Sequence, residues 1–215
     1  MGLLSQFSSK AEIHRRETCK RFDDYISSYL SQIEECSQAT KEQLSVTLVA
    51  RAPDSAVTDA VRRHANEFVD LGIELKVIFA SIEPASVFAG FVEMAGMYNG
   101  QNCLDATLRW AKNPALLDAH EQLVLGTTHC WSGDAMRRAA DVRLSLNLFE
   151  AEGGNAVNLG HSAFDGLWSA STNIPKSRFR NVTPARTGEP VVIEIEGIQE
   201  QLLENAFEGS YATRH

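Results

Sequence analysis

The chain has 215 residues, of which 44% are hydrophobic and 22% charged, with a formal net charge of -8. That length suits one well-packed core rather than two full domains, and its apolar runs fall short of the ~20 residues that span a bilayer. The acidic balance disfavours nucleic acid as the main partner, because binding requires Lys and Arg to neutralise phosphates.

The N-terminal sequence Met1-Gly2-Leu3-Leu4-Ser5-Gln6-Phe7 has no basic n-region and no long apolar stretch, so a cytoplasmic location is expected. Phe22, Tyr25, Ile26, Tyr29, Leu30 and Ile33 recur at helical spacing, which predicts an amphipathic helix within residues 1–44. The β-branched run from Ser45 to Ala50 predicts a buried strand. Asp54 and Ser55 offer N-caps for a helix carrying Val57, Ala60, Val61, His64, Ala65 and Phe68 and closing at Leu71-Gly72. Ile73 to Ala80 predicts a second strand, parallel to the first.

Glu83 to Tyr98 predicts another helix, broken by Asn99-Gly100, and Leu104 to Trp110 alternates as a half-buried strand. His120 to Gly126 predicts a strand, followed by a tight return to Cys130-Trp131 in which His129 is a turn or surface residue. Arg143 to Phe149 alternates again, with Leu144, Leu146 and Leu148 on one side and Ser145 and Asn147 on the other. A helix with Val157, Leu159, Phe164, Leu167 and Trp168 follows, carrying His161. Residues 172–215 predict an extended C-terminal arm, basic from Lys176 to Arg186, with a short strand at Val191–Glu196 and a helix at Ile198–Phe207.

Cys19, Cys36, Cys103 and Cys130 are scattered without a C-x-x-C pair, so free thiols are expected, with no disulfide framework, metal or cofactor. Trp110, Trp131 and Trp168 are expected in the core.

The order His120, Gln122, Thr127, then Gly133, Asp134 and Met136 resembles the phospholipase D superfamily signature H-x-K-x4-D-x6-G-S-x-N. His120 and Gly133 match it. Gln122 stands for the Lys, Thr127 for the Asp, and Asp134 for the Ser, with one residue fewer in the spacer. The resemblance covers residues 45–171. It implies an α/β fold with a mixed central sheet flanked by helices, and His120 as a phosphorus-attacking nucleophile. The family's leaving-group acid is a second His, and this chain has one motif copy, so the resemblance implies a homodimer.

Strand periodicity points His120 and Gln122 the same way and Leu123 and Leu125 the other. Gln122 carries no charge, and the loss of one such electrostatic contact costs ~3–4 kcal/mol in a transition state. Thr127 supplies no carboxylate, and Asp134 would repel phosphate. Arg137 and Arg138 offer compensating bidentate phosphate contacts. The leading expectation is a non-catalytic or weakly active binding or regulatory module for a phosphate-containing ligand. A dimeric phosphodiesterase of nuclease or phospholipase type, and an assembly protein, stand as alternatives.

Overall fold

Five helices and seven strands are described in the computed structural model, which covers residues 3–36, 38–83, 85–99, 107–112, 120–133 and 147–174. Helix α1 spans Leu3–Glu35, and strand β1 spans Ser45–Ala50. Helices α2 (Ala56–Arg63) and α3 (Ala65–Asp70) lead to β2 (Glu74–Phe79). Helix α4 (Ala85–Asn99) precedes β3 (Leu108–Trp110). Strands β4 (Glu121–Leu125), β5 (His129–Gly133) and β6 (Asn147–Ala151) follow. Helix α5 (Gly154–Ala170) and the two-residue β7 (Thr172–Asn173) complete the described chain. These elements all lie within one compact unit, Met1–Pro175.

One mixed sheet organises them, in the order β6-β5-β4-β1-β2-β3-β7. Strands β1, β2 and β3 are parallel, with Leu48 opposite Val77 and Ile78 opposite Arg109. Strand β4 runs antiparallel to β1 and begins a β4-β5-β6 meander. This is the mixed, helix-flanked α/β sheet that the strand and helix patterns predict. The parallel centre is buried on both faces, as its apolar sequence requires.

Among the described side chains of α1, Phe22, Ile26, Tyr29, Leu30 and Ile33 are buried. Its rings reach the sheet at Trp131, with Phe22 edge-on to the indole at 4.7 Å. Burial of each such large side chain stabilises by about 1.5–3 kcal/mol, which is how a long helix outside the α/β crossovers is held. Strand β2 meets α4 on this same side, where Phe79 contacts Phe88 and Phe91. Helix α5 covers the opposite face, where Phe164 joins Val49, Ile78 and Ala111.

Four local expectations need correction, and one strand is described in part. The helix after β1 is interrupted at His64, whose ψ of 6° is non-helical; its ring lies between Asp23, 3.6 Å away, and Glu67, 2.6 Å away. His129 is neither a turn nor a surface residue: it begins β5 and is fully buried. The strand expected at Arg143–Phe149 is described over Asn147–Ala151, with Asn147 and Leu148 on opposite sides as the alternation predicts. Phe149 packs on Phe22 and Tyr25 while Leu148 is 47% exposed; Leu144 and Leu146 lie outside the described residues. Leu159 is 71% exposed, because α5 turns Val157, Gly160 and Phe164 inward instead. Thr172 and Asn173, assigned to the arm, pair with Trp110 and Arg109 as a sheet edge.

The expected elements at Val191–Glu196 and Ile198–Phe207 lie outside the described residues. Among the described residues, no helix is long and apolar enough to cross a membrane.

Candidate functional site

The parallel strands end together at Ala50, Phe79 and Trp110. Because β4 is antiparallel to β1, its first residues arrive at this same end: Gln122 stands opposite Val49, and Glu121 opposite Gly133 of β5. His120 therefore sits beside the carboxyl ends of the parallel strands, where open α/β sheets place their ligand crevices. The connection is continued by backbone bonds from Ala80 to Ala50 and from Ser81 to Arg51, at 2.9 and 2.8 Å. His120 itself is exposed.

Gln122 does not join His120 in an open cleft. It is half-buried beneath α5, with its amide nitrogen 3.9 Å from Cys130 Sγ. A Cβ placed on Gly160 would lie 2.8 Å from that nitrogen and 2.7 Å from Val124 Cγ2. The amide thus fills a helix–strand contact, and burial raises the pKa of the adjacent Cys130 thiol.

Thr127 is more distant. It is exposed in the turn joining β4 to β5, on the order of 20 Å from His120 at ~3.4 Å per strand residue. The structure does not bring it to the site end of the sheet. The turn is fixed by Gly126, whose φ of +55° suits glycine and whose Cβ would meet Gln43 O at 2.7 Å.

Gly133 is at the site end, and its lack of a side chain has a packing cause: a Cβ there would lie 2.4 Å from Trp131 Cζ2. Asp134, Arg137 and Arg138 lie outside the described residues.

Glu121 is the residue that the motif reading passed over. Strand alternation sends it to the side of Leu123 and Leu125, and it is only 4% exposed. Its Oε1 accepts the backbone N–H of Arg51 at 2.8 Å, tying β4 to the loop after β1. Burial raises the pKa of this carboxyl, opposed by that N–H and by the Arg51 charge. The signal was present in the period-two pattern, which places a carboxylate on a core face.

Of the other histidines, His161 binds Gly126 O at 2.9 Å, and His129 packs under α1. No group of three or more His, Cys, Asp or Glu side chains suited to a metal ion occurs among the described residues. Chemically, the described arrangement offers one exposed imidazole and a buried acid on opposite strand faces, with a neutral amide under a helix.

No protein-family model matches the chain, and neither does any curated protein. Among solved structures, an archaeal chromatin protein, TrmBL2, described as showing a novel mode of DNA binding, is similar at 12% identity with a TM-score of 0.43. That likeness covers 80% of this chain and 70% of the other. At this level it decides neither the fold family nor the chemistry.

Proposed function

We propose that this chain is a non-catalytic, phospholipase D-like module that binds a phosphate-containing ligand and works as a homodimer. The observation that carries the reading is the separation of the motif positions. Around an exposed His120, two of the substituted positions offer no second phosphate contact: Gln122 is engaged beneath α5 and Thr127 occupies the far turn. Phosphoryl transfer depends on positioned charge around the transferred group, and removal of even one such contact typically costs 10²–10³ in rate, as a rough measure. Binding demands less, because an imidazole at the end of a parallel sheet can engage an anion without organising a transition state. The homodimer follows from the single motif copy, since the family resemblance pairs two.

The test compares wild type with His120→Ala on an aryl phosphodiester, alongside amide shift titrations with inorganic phosphate. The expected outcome is equal background hydrolysis in both proteins, with saturable shifts near His120 that weaken in the variant. Wild-type turnover that is abolished by His120→Ala would instead establish a phosphodiesterase. Light scattering at high micromolar concentration checks the assembly; the monomer mass of 23.7 kDa would refute the homodimer.

A further inference from the structure

His129 is the fully buried histidine of the α1–sheet seam. Its ring contacts Tyr25 at 4.9 Å and Tyr29 at 6.1 Å, both edge-type. The tyrosine hydroxyls are committed elsewhere: Tyr25 donates to Glu150 O, and Tyr29 donates to Gln43 O at 2.5 Å. Burial raises both phenol pKa values above their ordinary value, so neither supplies a negative charge. Thr128 Oγ1 donates to Gln32 Oε1 at 3.2 Å and lies 2.7 Å from His129 Nδ1. With the hydroxyl proton turned to Gln32, Nδ1–H donates to Thr128 and Nε2 is the lone-pair nitrogen. That Nε2 is buried without a hydrogen-bond partner.

A proton added at Nε2 would create a buried cation with an unsatisfied N–H, a costly state for any side chain. We propose that His129 is an acid-release latch for helix α1: protonation at Nε2 favours the state in which the Tyr25–Tyr29 ridge is lifted from β5. This inference is independent of the proposed ligand and of the proposed dimer.

The surrounding charges bear on its direction. Burial lowers the His129 pKa, and Glu152, just past β6, opposes this more weakly. Cross-strand neighbours Leu125 and Ala151 are neutral. Glu150, on β6, contributes its carbonyl to Tyr25 and has its carboxylate against Gly153. From α5, His161 engages Gly126 O on the neighbouring turn. Between α2 and α3, His64 faces Asp23 of α1 at 3.6 Å.

A histidine with a lowered folded pKa favours the docked state above its ordinary value of about 6.5 and loses that support as pH falls. Between pH 7.5 and 5.0 the loss is bounded at about 30-fold in the opening equilibrium.

Hydrogen–deuterium exchange at pH 7.5 and 5.0, scaled for intrinsic rates, reads this directly on the full chain. The expected result is lower protection, by up to about 30-fold, in peptides covering Phe22–Ile33 at pH 5.0, with β1 and β2 peptides unchanged. His129→Phe should abolish that difference. Retained α1 protection in the wild type, or an equal loss in β1 and β2, overturns the proposal. Because His129→Phe can fail to fold, the His129 ring nitrogens are also titrated by NMR in the wild type. A midpoint at or above the ordinary value, with α1 still docked, overturns it independently.

Discussion

The two faces of the sheet are covered by contrasting means. On one, α1 lays large rings across Trp131, Phe149 and His129, while its outer side carries exposed Glu12, Arg15, Arg16, Glu17, Lys20, Arg21 and Asp24. On the other, α5 descends at Gly160 until its backbone meets Val124 and Gln122, and Asp165 is its only Asp, Glu, Lys or Arg. The ring seam derives its strength from buried area and edge-to-face geometry. The glycine seam depends on closeness, leaving no room for one methyl. Removal of volume should therefore damage the first, and addition of volume the second.

The largest effect is expected at Trp131. Truncation of a buried aromatic to Ala costs ~3–5 kcal/mol, and here it removes edge contacts with Phe22 and a ring contact with Phe149. The indole Nε1 is buried without a partner, so its deletion returns part of that cost. Trp131→Ala should accordingly fall toward the lower end, and Trp131→Phe, which keeps a ring and discards the orphaned N–H, should cost far less. Urea midpoints at constant m separate the two. Equal losses in both variants would mean that the ring itself contributes little to holding α1.

The opposite seam is probed by two glycines on one helix. Alanine at Gly160 places a methyl 2.7 Å from a buried Val124 carbon, and overpacking of this kind costs about 1–3 kcal/mol. Gly166 has nothing within 4 Å of a Cβ, so Gly166→Ala should return the helix-propensity gain of up to ~1 kcal/mol. Urea unfolding of both variants should give shifts of opposite sign. Stabilisation by Gly160→Ala would show that α5 can ride up without loss, and the contrast between the faces would fail.

These seams also mark where sequence reasoning succeeds and where it stops. The β1–α2–α3–β2 unit was legible because a β-branched run, a Ser55 cap and an apolar stripe all specify the same structure; Ser55 Oγ does accept the Thr58 N–H. The α1 stripe was legible for the same reason, every buried position among its described side chains being large and apolar. Leu159 misled because hydrophobicity was weighed above angle: Val157, Gly160 and Phe164 define the inward face of α5, and a glycine leaves no hydrophobic signal. Strand β5 was hidden because His129 and Ser132 flank its apolar centre in a run of five residues. At the candidate site, periodicity separated the face of Gln122 from that of Leu123. Which face a helix would cover is a tertiary fact, and it decides that Gln122 packs under α5.

The smallest effect is expected from the charges that join α1 to α2. Arg63 Nη2 donates to both carboxylate oxygens of Asp23, at 2.9 and 3.0 Å, and Arg15 reaches Asp59 at 3.0 Å. The Arg63 and Asp23 side chains are substantially exposed, so solvent and salt screen the attraction, and such pairs are worth about 0–1 kcal/mol. Arg63→Ala should therefore lower stability by no more than ~1 kcal/mol in dilute buffer and by less in 1 M salt. Urea unfolding at the two ionic strengths checks both statements. A salt-insensitive loss comparable with that of Trp131→Ala would mean that α1 is held chiefly at its α2 flank, and that the ring seam is secondary.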